Sequence, residues 1–200
     1  MSTEFHAMPE TVPPLHHSDS GLPSAATLLL VHPMGADLLF WDACRAVWES
    51  QFRCIAVDLR GAGKSPSTQG SVSIRAHGED VGNLVTQLQA GPVVAVGCAV
   101  GAMVATAFAG LHPESCRGLV LSNPGFRTLA SARDMLTKRA DAVRRAGMMA
   151  VLPGALDGAF AGCPHDASRD AFAARFTAQD PLRYALQIEG MLEADTSPFL

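Results

Sequence analysis

Two short segments carry residue types that could act on a carbonyl group. Gly97-Cys98-Ala99-Val100-Gly101 closes an apolar run at 93–97 and leads into a second run rich in alanine. Glycines two residues either side of an apex let a strand turn abruptly into a helix, which leaves the apex residue strained and raised above the turn. A serine at such an apex attacks a carbonyl carbon, but here the apex is Ala99, whose methyl group has no lone pair to give. What remains is the first amide of the following helix, the Val100 N–H, aimed where negative charge would develop on a carbonyl oxygen. His32-Pro33-Met34-Gly35 also follows an apolar run and is placed to supply a second backbone donor, the Met34 N–H. Ala99, Met34 and Val100 are therefore the candidate site, and His32 is expected to touch the substrate. Taken alone, the tetrapeptide is equally an ordinary strand-to-helix turn.

Nothing else in the chain replaces the missing hydroxyl. Cys98 precedes the apex, so its side chain is expected to point away from the site into packing. The seven histidines (His6, His16, His17, His32, His77, His112 and His165) include none after a late apolar run, where a general base would sit. Asp58-Leu59-Arg60-Gly61-Ala62-Gly63-Lys64-Ser65 has two glycines for a tight turn, with an Asp and an Arg to brace it. It lacks the third glycine and the spacing of nucleotide-binding loops, so it reads as structural. Arg127 could hold a substrate carboxylate through a bidentate contact, and it could equally be a surface or bracing residue.

These segments must be positioned by a scaffold, and the chain is long enough for one. Its 200 residues are 48% hydrophobic and 17% charged, which supports one buried core and one or two domains. Apolar runs at 27–32, 54–58, 93–97 and 118–122 do not alternate with polar residues, as expected of strands covered on both faces. Helical patterns at roughly 39–49, 75–89 and 99–111 lie between them, giving the βαβ order of a mostly parallel sheet. Residues 1 to 24, with their scattered prolines, are expected to form an irregular arm or short leading strands. From 130 to 195 helical patterns are separated by Pro153-Gly154, Gly162-Cys163-Pro164 and Asp180-Pro181, which describes an inserted helical unit without strands. Leu136, Ala140, Val143 and Gly147 share one helical face there, while Arg133, Lys138, Arg139, Arg144 and Arg145 are expected largely on a solvated one.

Composition also narrows the partners. A net charge of −4 gives no positive field for nucleic acid or an anionic membrane. The apolar run at 28–31 is far too short to span a bilayer, and no basic segment suited to a leader peptide precedes it. Five widely spaced cysteines without C-x-x-C pairs read as reduced, packed thiols with no metal site, so a cytoplasmic protein is expected.

In order, H-P-M-G, D-L-R-G-A-G-K-S and G-C-A-V-G resemble the α/β-hydrolase fold superfamily over residues 27–127. Ala142-Val143-Arg144-Arg145-Ala146-Gly147 and Asp180-Pro181-Leu182-Arg183-Tyr184-Ala185 resemble, more loosely, the cap of 3-oxoadipate enol-lactonase-like members. The resemblance implies an α/β fold with a helical cap, divided as core 1–127, cap 128–196 and a return to the core at 197–200. It implies hydrolysis of a small ester or lactone by a serine, without cofactor, on a substrate that bears a carboxylate. The acid and histidine of that family follow later strands, so C-terminal core strands are expected to be absent from this chain. A homo-oligomer, or association with a missing C-terminal segment, is the corresponding expectation for partners. With alanine at the apex the chain is expected to be inactive. The alternatives are a native pseudo-hydrolase that binds a small molecule, and a cofactor-free enzyme whose chemistry needs no serine.

Overall fold

A computed structural model of the chain describes residues 14–22, 25–67 and 69–200. Most of the arm expected at 1–24, and His6 with it, lies outside the described residues; a short strand, β1 (His17–Asp19), falls within them. The four apolar runs form β2 (Thr27–Val31), β3 (Arg53–Val57), β4 (Val93–Cys98) and β5 (Cys116–Ser122). They build one sheet in the order β1-β3-β2-β4-β5, parallel throughout except for the edge strand β1.

The non-alternating sequence of these strands has the cause anticipated for it. Successive side chains point to opposite faces. Leu29, Val31, Ile55 and Val57 enter one hydrophobic core with Val104 and Phe108. Leu30, Cys54, Ala56 and Val96 enter another with Leu38 and Trp41. Both faces of β2 and β3 are therefore dry. The first is covered by α2 (Ile74–Gln87) and α3 (Val100–Leu111), the second by α1 (Asp42–Trp48) and the turn before it.

The single helix expected at 39–49 is in fact two pieces, a 3-10 turn at Leu38–Trp41 and then α1. Asp37 caps the tight turn by accepting from the Leu39 N–H at 3.1 Å. Its three-residue period places Leu38 and Trp41 on the same side, and both are buried in the second core.

After β5 the chain enters four helices: α4 (Ala130–Ala146), α5 (Leu152–Ala159), α6 (Ala167–Thr177) and α7 (Pro181–Met191). They have their own core, in which Ala140 and Val143 of α4 meet Tyr184, Ala185 and Ile188 of α7. The chain leaves and returns through a narrow neck. There Arg127 pairs with Asp195 in an antiparallel bridge, the Thr128 N–H donates to Ala194 O, and the Thr196 N–H donates to Phe126 O. Beyond it Ser197–Phe199 forms a 3-10 turn begun by Pro198, and Phe199 packs on the main core. At the edge of the sheet Leu119 and Val120 of β5 point to opposite faces and are 38% and 53% exposed, so the run at 118–122 is not covered on both faces as expected.

Arg139 corrects the solvated-face expectation for α4. Its guanidinium lies over the rings of Tyr184 and Phe176, at 5.5 and 5.9 Å, inside the helical unit. The other four basic residues are exposed as expected, Arg133 and Arg144 being paired to Glu193 and Glu189.

Two histidines make the fold acid-sensitive. Burial holds His32 below its ordinary pKa, and burial together with the neighbouring Arg60 pushes His77 down to about 3. Such a group accepts a proton more readily in the unfolded chain, so acid favours unfolding. The contribution is complete above pH 6.5 and is lost, for His77, as pH falls toward about 3. Each histidine adds about 1.4 kcal/mol per pH unit to the acid limb of stability. His77→Leu is expected to reduce the slope of unfolding free energy between those limits by about that amount, read from urea titrations at stepped pH. An unchanged slope would show that His77 is not buried in its neutral form.

Candidate active site

Strand register brings the two chemical segments together. Val31, the last residue of β2, pairs with Gly97 of β4 in a parallel ladder, so the chain beyond each emerges at the same edge. The chain runs from β2 outward to β3 and then crosses back to β4 on the other side of β2. In open α/β sheets such a change of direction marks the crevice at the carboxyl ends of the strands where ligands usually bind.

The turn from β4 into α3 is as tight as its glycines suggest. A Cβ on Gly97 would collide with the backbone carbonyl of Gly101, and one on Gly101 would collide with Val31 O and His32 O. Between them Ala99 takes φ 50° and ψ −112°, a region that L residues rarely enter. The conformation is held from outside: the Ala99 N–H donates to Ser122 O at 3.0 Å, tying the apex to the end of β5. Val100 begins α3, so its N–H lies beyond the reach of the helix's own carbonyls. Cys98 packs on the second core, across the sheet from Val104, and burial raises its thiol pKa. It is neither at the apex nor a ready thiolate.

His32 does something other than touch substrate. It is 1% exposed, and both ring nitrogens are occupied: Nδ1 bonds Pro33 O at 2.8 Å and Nε2 accepts from the Leu59 N–H at 3.0 Å. Acceptance at Nε2 fixes the neutral tautomer with its proton on Nδ1. The carbonyl it holds belongs to the Pro33–Met34 peptide, and in a trans peptide the N–H points opposite to the C=O. His32 therefore aims the Met34 N–H away from itself. It is a positioning residue, which corrects the expectation from sequence.

The 58–65 loop braces the same region. Asp58 is 2% exposed and accepts from the Leu38 N–H at 2.7 Å, the Lys64 N–H at 2.9 Å and His16 Nδ1 at 2.8 Å. A Cβ on Gly63 would overlap that carboxylate, which explains the second glycine. Arg60 is paired with Asp80 of α2, so its guanidinium is not left for a phosphate.

Arg127 is exposed at the neck, with its backbone on Asp195 and its charge near that carboxylate. No hydrogen bond or ion pair joins it to the elbow or to the 32–35 loop. The described histidines do not supply a base either. His16 is bonded to Asp58, His17 to Leu15 O, His112 to Glu79 and His165 to Asp170, while His77 is 2% exposed. Among the described residues no group of three or more His, Cys, Asp or Glu side chains could hold a metal ion, and no helix is long and apolar enough to cross a membrane.

A strained apex between two obligate glycines, set beside a histidine-held loop, has a known setting. The family model of the alpha/beta hydrolase fold matches residues 26–175. The chain belongs to that family. Uncharacterised proteins of Mycobacterium bovis and Mycobacterium tuberculosis are 30% identical to it over 102 residues, 51% of this chain and 30% of their own length. The chain thus matches less than a third of these curated relatives. A thermophilic esterase from Thermogutta terrifontis, solved with malate bound, is 27% identical with a TM-score of 0.82, over 93% of this chain and 70% of that one. The enol-lactonase from Burkholderia xenovorans is 25% identical with a TM-score of 0.83, over 92% and 72%.

Three residues that no sequence motif singles out hold the 32–35 loop from the helical unit. Phe176 and Tyr184 would be struck by a Cβ on Gly35, and Gln179 Nε2 donates to Gly35 O at 2.8 Å. Only the Asp180-Pro181 helix start beside Gln179 was a signal, and it does not reveal a contact 144 residues away.

Proposed function

We propose that the crevice over Ala99 binds the carbonyl group of a small ester or lactone, with the Met34 and Val100 N–H groups as the oxyanion pair. The observation that carries this reading is the Ala99 backbone, held at φ 50° between two glycines that have no room for a side chain. Strain of this kind costs on the order of 1–3 kcal/mol and clusters at active sites and ligand clamps. The esterase and lactonase neighbours support ester and lactone chemistry as the parent activity. Loss of a serine nucleophile costs on the order of 10⁶ in turnover, so the chain with Ala99 binds substrate without hydrolysing it.

Short-chain esters and small lactones incubated with the chain are expected to remain intact while calorimetry registers binding. Acid release well above the buffer rate would overturn the inactive assignment and point to a mechanism that needs no serine. Absence of binding across the panel would overturn the site itself.

A further inference from the structure

The carbonyls on either side of Met34 are held from two different parts of the molecule. Pro33 O is held by His32, which the sheet and the Leu59 amide keep in place. Gly35 O is held by Gln179, which belongs to the corner between α6 and α7; that carbonyl shares a peptide with the Ala36 N–H, which donates to Pro33 O at 3.2 Å, so the hold reaches the Met34 peptide through that bond. That corner is itself rigid: Asp180 caps α7 by accepting from the Leu182 and Arg183 N–H groups, at 2.8 and 2.9 Å. It also grips the loop apolarly. Gly35 has φ +75°, and the space its absent Cβ would fill is taken by the rings of Phe176 and Tyr184. Met34 completes the contact, since its side chain packs against both the main core and the core of the helical unit.

We infer that Gln179 is a positioning residue for the Met34 amide, so that the helical unit sets one of the two oxyanion donors while the sheet sets the other. This rests on the proposed oxyanion role of Met34. The Val100 N–H depends on α3 and the two glycines of the turn, and on nothing in the helical unit. Any ligand or substitution that moves the α6–α7 corner should therefore change the response of Met34 and leave that of Val100.

The two amides can be followed separately by ¹H–¹⁵N correlation spectra while sodium butyrate, a carboxylate that mimics an ester product, is titrated into the chain. Both should shift in the parent. In Gln179→Met, which keeps the length and removes the donor, the Met34 displacement should fall by about half or more, with Val100 still responding. Apparent affinity should weaken about fivefold, the worth of one neutral hydrogen bond. Gln179→Glu, whose carboxylate faces Gly35 O, should weaken both further. A merely structural role would lower the melting temperature and leave the ratio of the two displacements unchanged. Equal displacements in parent and variants would overturn the inference while leaving the oxyanion reading intact. If neither amide moves in the parent, the oxyanion reading falls and the inference with it.

Discussion

Gly101→Ala is expected to destabilise the fold by about 4 kcal/mol or more, enough to leave little folded protein. The added methyl would enter the space of two backbone carbonyls, Val31 O and His32 O, and neither can swing aside as a side chain would. Relief requires α3 to move off the end of β2. That motion would pull Val104, Ala105 and Phe108 out of the main core, where each is fully buried. Gly97→Ala meets the same obstacle from the other side, against Gly101 O. Gly118→Ala is the control, because nothing lies within 4 Å of its missing Cβ, and it should change stability by no more than about 0.5 kcal/mol. Chemical denaturation of the three variants decides the matter: a loss under about 1 kcal/mol for Gly101→Ala would mean that the turn is not held by close backbone approach.

Ala99→Ser in this chain is expected to restore almost none of the roughly 10⁶-fold turnover that an intact serine centre provides. A serine hydroxyl needs a base within hydrogen-bond reach, and a base needs a free ring nitrogen. His32 is the histidine nearest in sequence to the oxyanion loop, but both of its nitrogens are bound to backbone and burial keeps it neutral. The other described histidines are bonded to partners outside the elbow or, for His77, enclosed beside Arg60. The new hydroxyl should therefore gain less than about 100-fold over the parent with an activated ester such as p-nitrophenyl acetate. A gain of about 10⁴ or more would show that one of these histidines reorganises to serve as base.

The sequence revealed the scaffold of this site more fully than its chemistry. β2 and β3 are legible because both of their faces are buried, which makes Leu28-Leu29-Leu30-Val31 and Cys54-Ile55-Ala56-Val57 uniformly apolar. The sharp turn was legible because close backbone approach admits only glycine at 97 and 101. His32 was placed correctly in the chain and given the wrong task. Its partners, Pro33 O and the Leu59 N–H, are backbone groups that exist at every position and leave no mark in a sequence. Helical spacing puts Arg139 off the apolar face of α4, yet two aromatic faces receive its guanidinium inside the helical unit. Gln179 was missed because its single contact joins segments whose proximity only the folded neck and corner create.

The most direct test of the carbonyl-binding crevice uses γ-butyrolactone labelled with ¹³C at the carbonyl carbon and the chain with Ala99 in place. Two backbone donors polarise a carbonyl, so its ¹³C resonance should move downfield on binding, the Met34 and Val100 amides should shift in the same titration, and the lactone should stay closed throughout. A carbonyl resonance that stays at its free position while the lactone is bound, or amide shifts that avoid both Met34 and Val100, would contradict the account.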